Sequence, residues 1–278
     1  LTSADLTGAD LTGADLSGAK LSTSKLSGVR WSGARADTDT QWPEGFLLTS
    51  PASVITIVYL PAPAPPCPPG PGSVCPGIDL DGANLGERNL SDSVFADGRF
   101  FQTDFWQSNL DRVDFSDSIL READLRRASA RLANFTDASL YGANLTRTNL
   151  SGALLAGADL GFADIYRSNF SGADLSGAIL DHAGGRWASF LGADLSAASL
   201  SQTNLSWATL EQANLTNANL SGADLRRANL SGANLTGANL LGTDLTGAFA
   251  SPETIWPTGF VPFLSGLITW VNPTPPTA

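Results

Sequence analysis

The chain has 278 residues and a formal net charge of −11, with 15% charged and 42% hydrophobic residues. Disordered chains combine low hydrophobicity with high charge, so this composition indicates one or two folded domains. No run of about 18 apolar residues occurs, so the sequence predicts no membrane span.

Residues 1–35 form a first block of five-residue repeats. A large apolar residue recurs at every fifth position, from Leu6 through Leu16 and Leu21 to Trp31. Leu1 is already in phase with this series, and the chain contains no Met. We therefore expect further residues upstream, or another molecule that stacks on this end.

Residues 36–77 interrupt the repeat, and we interpret them as a capping-like segment, a strand and a proline-rich excursion. The segment Trp42–Phe46 precedes a β-rich stretch, and prolines then surround Cys67 and Cys75. A disulfide between these cysteines would restrict a segment that has no core of its own, and it favours an extracytoplasmic compartment such as a periplasm, a lumen or the cell surface. Two free thiols would instead fit the cytoplasm.

Residues 78–249 form the main repeat block. An apolar centre falls on nearly every fifth position from Leu80 to Leu245, and a small residue, usually Ala, stands two positions earlier. An α-helix would scatter the centres around its axis, and the recurrent Gly opposes a helix. We predict short extended segments joined by tight corners, with four corners in each coil of 20 residues. Parallel coils about 4.8 Å apart would give a stack roughly 40 Å long.

The repeat units resemble the pentapeptide-repeat family. Typical units are Ala4-Asp5-Leu6-Thr7-Gly8, Ala173-Asp174-Leu175-Ser176-Gly177 and Ala233-Asn234-Leu235-Thr236-Gly237. Similar Trp-Pro-x-Gly-Phe segments end the coil in many members, and the family is abundant in cyanobacteria. The resemblance implies an all-β fold, the right-handed quadrilateral parallel β-helix.

One corner of the predicted coil gathers basic and aromatic side chains. Residues 20 apart stack in columns, and seven arginines of the main block fall on this corner with aromatic residues between them. Arg, Trp and Tyr are enriched at binding hot spots, so this corner is the candidate surface for a protein partner. The alternative is that these arginines interact only within the molecule, by stacking on Trp or Tyr and pairing with neighbouring Asp, and bind no partner. The candidate residues are Trp106, Arg126, Arg127, Arg147, Tyr166, Arg167, Arg186, Trp187, Trp207, Arg226 and Arg227.

The opposite face carries aspartates instead, among them Asp97, Asp117 and Asp137. The family resemblance includes DNA-mimicking members that act on gyrase through an acidic surface, so a topoisomerase-binding role is the alternative function. The acidic face is sparse here, and no C-terminal dimerisation helix is evident. The net charge of −11 opposes a nucleic-acid partner.

The sequence predicts no enzyme, no cofactor and no metal site. The chain has one histidine, His182, and two cysteines, which give no metal-ligand spacing. His182 falls on an outward corner where no pocket is expected, so we interpret it as a solvated surface residue.

Residues 250–278 are predicted to be a C-terminal cap and a proline-rich tail. The end of a solenoid exposes apolar interior and strand edges, so it needs a cover. The residues expected to form the cap are Trp256, Phe260, Phe263, Leu264 and Trp270. Taken together, the sequence favours a structural scaffold or assembly subunit that binds protein partners or further copies of itself, with coils stacking end to end.

Overall fold

The computed structural model describes residues 4–11, 14, 16, 19–25, 29, 35–36, 40–41, 56–57, 67–261 and 268–270. The chain divides into two compact units, Leu1–Cys67 and Pro68–Ala278. In the first unit, β1 (Arg35–Ala36) pairs in parallel with β2 (Thr56–Ile57). In the second, β3 (Ala248–Ala250) pairs in parallel with β4 (Ile268–Trp270).

The second unit is a coil that repeats every 20 residues. Single-residue parallel bridges join residues one coil apart, from Val74 and Val94 at one end to Asn229 and Phe249 at the other. The N–H and the carbonyl of each bridge residue bond to the two residues that flank its bridge partner in the previous coil. For example, the N–H of Asn109 donates to the carbonyl of Arg88 over 2.8 Å, and the carbonyl of Asn109 accepts the N–H of Leu90, also over 2.8 Å. Parallel ladders of this kind make the stack of coils rigid.

A tight turn follows each apolar centre and forms a corner. In the first complete turn of the main block, the N–H of Ala83 donates to the carbonyl of Leu80 over 3.0 Å. The residue two positions after the apolar centre, which is Gly82 in this turn, takes a positive φ. This is the conformation of the third of the four residues in a type II turn. Glycine occupies this position in many coils, but residues with side chains also adopt it, including Arg147 at 60° and Trp187 at 64°.

The residue before each centre is usually Asp or Asn because its side chain holds the turn in place. The Oδ1 atom of Asp104 accepts the backbone N–H of Trp106 over 2.8 Å, and Asn204 does the same for Ser206 over 3.1 Å. Between coils, Asn Nδ2 donates to the Oδ1 one coil earlier, as from Asn134 to Asp114 over 2.9 Å. An amide above a carboxylate thus replaces the repulsion that stacked carboxylates would suffer.

The interior of the coil is filled by two side chains from each repeat. The centres, mostly Leu or Phe, are buried, and the Ala two residues earlier lies beside them. Phe rings stack along the axis, with Phe170 and Phe190 at 5.0 Å between centroids. At most positions where Ser or Thr replaces Ala, the hydroxyl donates to a carbonyl of the previous coil, as Thr148 does to Leu125 over 2.6 Å. These buried hydroxyls are therefore satisfied, whereas Ser108 Oγ has no partner among the described residues.

Two irregular positions of the sequence are accommodated without a break in the ladder. At Gly185 the space for a side chain is filled by Leu205 and Ile165, since an added Cβ would lie 2.7 Å from Leu205 Cδ2 and 3.1 Å from Ile165 Cδ1. Arg88, which replaces an interior Ala near the start of the main block, is exposed to solvent.

The residues just before the two Trp-Pro-x-Gly-Phe segments share one local structure, although Trp42–Phe46 lies outside the described residues. The Oγ1 of Thr254 donates to the carbonyl of Leu230 over 2.9 Å, and the Oγ1 of Thr40 donates to the carbonyl of Leu16 over 2.9 Å. The residue after each threonine forms a bridge to a residue 21 positions earlier, one more than the regular coil. Each segment therefore follows one enlarged coil, within its own unit.

Candidate protein-interaction surface

The candidate surface lies at one corner of the second unit, and we call it the Arg/aromatic corner. Its members are all turn residues from successive coils, so the backbone ladder holds them in a column. They are Trp106, Arg126, Arg127, Arg147, Tyr166, Arg167, Arg186, Trp187, Trp207, Arg226 and Arg227. The structure therefore brings all of the residues that the sequence assigned to this surface onto one edge of the coil.

Towards the C-terminal end of the coil, the corner is a continuous stack of two rings and a guanidinium group. Trp187 and Trp207 lie 4.7 Å apart with an interplanar angle of 16°, and the Cζ of Arg227 lies 4.6 Å from the Trp207 ring. Lower in the column, the Cζ of Arg167 lies 5.3 Å from the ring of Tyr166. These cation–π contacts restrict the flexible arginines before any partner arrives.

Two arginines of the corner are held by aspartates two residues earlier. The Nε of Arg126 donates to Asp124 Oδ1 over 2.8 Å, and the Nε of Arg226 donates to Asp224 Oδ1 over 2.9 Å. Hydrogen bonds from the Arg226 guanidinium lower the pKa of Asp224 despite its burial. At Asp124, burial raises the pKa, but the bonds from Arg126 outweigh it and the pKa is lowered. Part of the corner is thus neutralised within the molecule.

Two other arginines of the corner are not neutralised by an aspartate within the described part of the chain. Among the residues that the structure describes, Arg127 and Arg147 have no ion pair and no ring contact. Both are exposed. They border a shallow depression of about 330 Å³, which Trp106, Arg126 and Tyr166 also line. A second depression of about 460 Å³ lies higher in the column between Arg186, Trp207 and Arg227. Each depression presents cations beside a flat ring.

The opposite corner carries an acidic column, Asp97, Asp117 and Asp137, one residue in each of three successive coils. All three are exposed and take a positive φ of 56–58°. No hydrogen bond or ion pair joins their carboxylates to any residue in the described part of the chain. This column of the predicted acidic face is therefore three residues long and solvent-exposed.

A third corner holds an aromatic stack that the sequence showed only in part. The Cζ of Arg121 lies 5.0 Å from the Tyr141 ring, Tyr141 lies 5.4 Å from Phe162, and Phe162 stacks on His182 at 4.7 Å. His182 is exposed, as expected, but it ends a stack instead of standing alone in solvent. The 20-residue interval between Phe162 and His182 was the available signal.

The predicted C-terminal cap is described for some of its members. Trp256 and Phe260 stack at 5.1 Å between ring centroids, and both are half-buried. Trp270 lies in β4, which pairs with β3. Phe263 and Leu264 lie outside the described residues.

Both cysteines, Cys67 and Cys75, are in disulfide linkage in the structure.

Within the described ranges, no group of three or more His, Cys, Asp or Glu side chains is arranged to hold a metal ion. The same part of the chain contains no helix with the length and apolar character required to cross a bilayer.

Comparison with known proteins places this geometry in a family. The model for pentapeptide repeats matches in eight copies, over residues 1–34, 99–137, 108–147, 143–181, 186–217 and 213–249. No curated protein is significantly similar in sequence. Among solved structures, the chain is similar to HetL, a pentapeptide repeat protein involved in heterocyst differentiation regulation from the cyanobacterium Nostoc sp. strain PCC 7120. The identity is 31%, over 68% of this chain and 91% of that one, with a TM-score of 0.38.

Two further solved structures are similar over part of the chain. A pentapeptide repeat protein from the Arabidopsis thaliana thylakoid lumen is 35% identical, over 35% of this chain and 65% of that chain, with a TM-score of 0.26. Full-length QnrB1, a plasmid-mediated fluoroquinolone resistance protein, is 22% identical, over 64% and 93%, with a TM-score of 0.38. With repeats matched over more than half of its length, the chain belongs to the pentapeptide-repeat family and folds as a right-handed quadrilateral parallel β-helix.

Proposed function

We propose that this protein is a non-enzymatic scaffold subunit that binds a protein partner through the Arg/aromatic corner. The observation that carries the proposal is the exposed pair Arg127 and Arg147, which have no internal partner in the described residues and border a depression beside Trp106 and Tyr166. Arginine, tryptophan and tyrosine are the side chains enriched among the hot spots that dominate binding energy at protein interfaces.

Rigidity supports this role. The corner residues are turn residues fixed by a backbone ladder on both sides, and the Trp187–Trp207–Arg227 stack orders three large side chains in the free protein. Binding to such a surface costs less side-chain entropy than binding to mobile loops. A preorganised column of this kind suits a subunit that presents a fixed surface to its partners.

The test uses a triple variant of the corner, Arg147→Ala, Arg167→Ala and Trp187→Ala, in the source cell. We expect the complex that contains the wild-type chain on a native gel to be lost. A matched control on a neighbouring corner, Gln102→Ala, Glu122→Ala and Gln202→Ala, should leave the complex intact. If the corner variant keeps its full assembly while its thermal midpoint is unchanged, the proposed surface is wrong.

The acidic column of Asp97, Asp117 and Asp137 is the one observation that favours a second candidate, a DNA-mimicking protein that binds a topoisomerase. Its three carboxylates stand in line at intervals of one coil, as phosphates stand in line along a nucleic-acid strand. A gyrase supercoiling assay separates the two functions. Inhibition, or protection from a gyrase-directed drug, that disappears in the Asp97→Asn, Asp117→Asn and Asp137→Asn variant would support the mimic.

A further inference from the structure

Two opposite corners of the second unit carry charged columns of equal length and opposite sign. The basic column is Arg127, Arg147 and Arg167, and the acidic column is Asp97, Asp117 and Asp137. All six residues occupy the second turn position, take a positive φ between 56° and 60°, and are exposed. The two positions differ by half a coil, so the columns point away from each other.

Neither column is neutralised from within. Like charges stand one coil apart in each, which is unfavourable even in water. In the described residues, the three aspartates and Arg127 and Arg147 lack an ion-pair partner, and Arg167 contacts only the Tyr166 ring. The pattern therefore concentrates charge where the fold gains nothing from it.

Another corner of the same coil shows that the fold can neutralise such a column. There, opposite charges alternate: the Nε of Arg112 donates to Asp92 Oδ1 over 2.6 Å, and the Nε of Arg131 donates to Asp111 Oδ2 over 3.0 Å. Each of these pairs spans one coil. The segregation of sign at the two opposite corners is thus not imposed by the repeat.

The spacing between arginines in the basic column equals the spacing between aspartates in the acidic column, because both columns advance by one coil per residue. Three arginines can face three aspartates of another copy in register when the axes are parallel, and also when they are antiparallel. Because the columns lie on opposite corners, each copy would still present a free column after pairing. Contacts between different patches of identical molecules repeat in this way and give open rows.

We propose that the basic column of one copy docks on the acidic column of a second copy, so that the coils associate side by side. This inference rests on the proposed scaffold function and names the partner as the chain itself. The net charge of −11 opposes contact at long range, but salt screens it beyond a Debye length of about 8 Å at physiological ionic strength. The paired columns act within that length, so the association should be weak and sensitive to salt.

The experiment measures the mass of the purified full chain by sedimentation equilibrium. In about 150 mM NaCl, where the Debye length is about 8 Å and the net repulsion is screened, we expect a concentration-dependent mass above the 28.9 kDa of the monomer. In about 1 M NaCl, where it falls to about 3 Å and the paired columns are screened as well, we expect the monomer. A chain that is monomeric in about 150 mM NaCl at every concentration would overturn the inference.

Two charge-reversal variants test the columns themselves. The first is Arg127→Glu, Arg147→Glu and Arg167→Glu, and the second is Asp97→Arg, Asp117→Arg and Asp137→Arg. Each alone should be monomeric, because each presents two columns of one sign. An equimolar mixture should associate again, because the acidic columns of the first variant meet the basic columns of the second. Failure of the mixture to associate contradicts the inference, as does association of either variant alone.

A conservative control is Arg127→Lys, Arg147→Lys and Arg167→Lys, which keeps the charge and should still associate. Circular dichroism must show that all variants are folded. The outcome also separates this inference from the proposed function. If the pure chain is monomeric but Arg147→Ala, Arg167→Ala and Trp187→Ala still abolish the native complex, the scaffold function stands and its partner is a different protein.

Discussion

Asp111 reaches across one coil to Arg131 and performs the task that Asp or Asn performs elsewhere within its own coil. Its Oδ1 accepts the backbone N–H of Arg131 over 3.0 Å and the hydroxyl of Ser129 over 2.6 Å, while its Oδ2 accepts the Arg131 Nε over 3.0 Å. The residue before the centre is Ser129, whose side chain does not hold the turn. A carboxylate from the previous coil supplies the missing acceptor.

Asp111→Ala should therefore destabilise the coil. The side chain of Asp111 is almost fully buried, and its removal leaves the Arg131 N–H and the Ser129 hydroxyl without an acceptor. We expect the free energy of unfolding to fall by about 2 kcal/mol, within the range for unsatisfied buried groups. Urea denaturation followed by circular dichroism measures the change. Asp117→Asn is the control, since Asp117 is exposed and asparagine also tolerates its positive φ of 58°, and it should alter stability by less than about 0.5 kcal/mol. Equal effects of the two substitutions would contradict this account.

Acid should weaken the second unit through its paired aspartates. Burial raises the pKa of Asp111, but hydrogen bonds from Arg131 and Ser129 more than offset this and lower the pKa. The pKa of Asp224 is also lowered, chiefly by Arg226. A carboxyl whose pKa is lower in the folded state contributes stability above its unfolded pKa, about 3.9, and loses it as the pH falls towards the folded pKa.

The expected result is a thermal midpoint that falls as the pH drops below about 4. Asp111→Asn removes one titrating carboxyl, so this variant should lose less of its midpoint over the same interval than wild type. Calorimetry at a series of pH values between neutral and strongly acidic gives both curves. Parallel curves for the two proteins would show that Asp111 does not contribute.

The period of the sequence was sufficient to predict the coil, its corners and the columns. Because every residue 20 positions on must stack, the Arg/aromatic corner followed directly from spacing. The pairing of Arg126 with Asp124 also follows from spacing, since the aspartate that holds the turn stands two residues earlier. The domain boundaries and the C-terminal cap, in contrast, remain predictions.

Spacing alone does not show which charges find partners. Arg127 and Arg126 are neighbours of the same type, yet only Arg126 is directed at a carboxylate. Likewise, the role of Asp111 depends on Ser129 being two residues before Arg131, a relationship between coils and not within one repeat. Such contacts depend on the side-chain rotamer and on the residue one coil away. A consensus of the five-residue repeat contains neither kind of information.

The positive-φ position of the turn predicts an unusual stabilising substitution. Ala197 has φ 57° and is exposed, so its Cβ adds strain without burying any surface. Release of left-handed strain contributes about 1–2 kcal/mol, part of which the greater flexibility of unfolded glycine offsets. We expect Ala197→Gly to raise the thermal midpoint.

The matched control is the neighbouring Ala198, which is buried in the coil interior at 1% exposure. Ala198→Gly should lower the thermal midpoint, because it removes a buried methyl group and relieves no strain. Differential scanning calorimetry on the two single variants provides the comparison. If both substitutions moved the midpoint in the same direction, the strain at the turn would not be the deciding effect.

Two interior serines at the same position of the repeat should respond oppositely to replacement by alanine. The Oγ of Ser118 donates to the carbonyl of Phe95 over 2.8 Å and accepts the N–H of Gly98 over 3.2 Å. Among the described residues, Ser108 Oγ is the buried side-chain atom without a hydrogen-bond partner. Ser118→Ala should therefore cost about 1 kcal/mol of unfolding free energy, because it removes the hydrogen bond from Ser118 to the Phe95 carbonyl and one of the two acceptors of the Gly98 N–H. Ser108→Ala should be neutral or stabilising, because it removes a desolvated hydroxyl that gains no hydrogen bond from folding. Urea denaturation of the two variants measures both effects in one coil architecture. A loss of stability at Ser108 as large as that at Ser118 would mean that the Ser108 hydroxyl has a partner in solution.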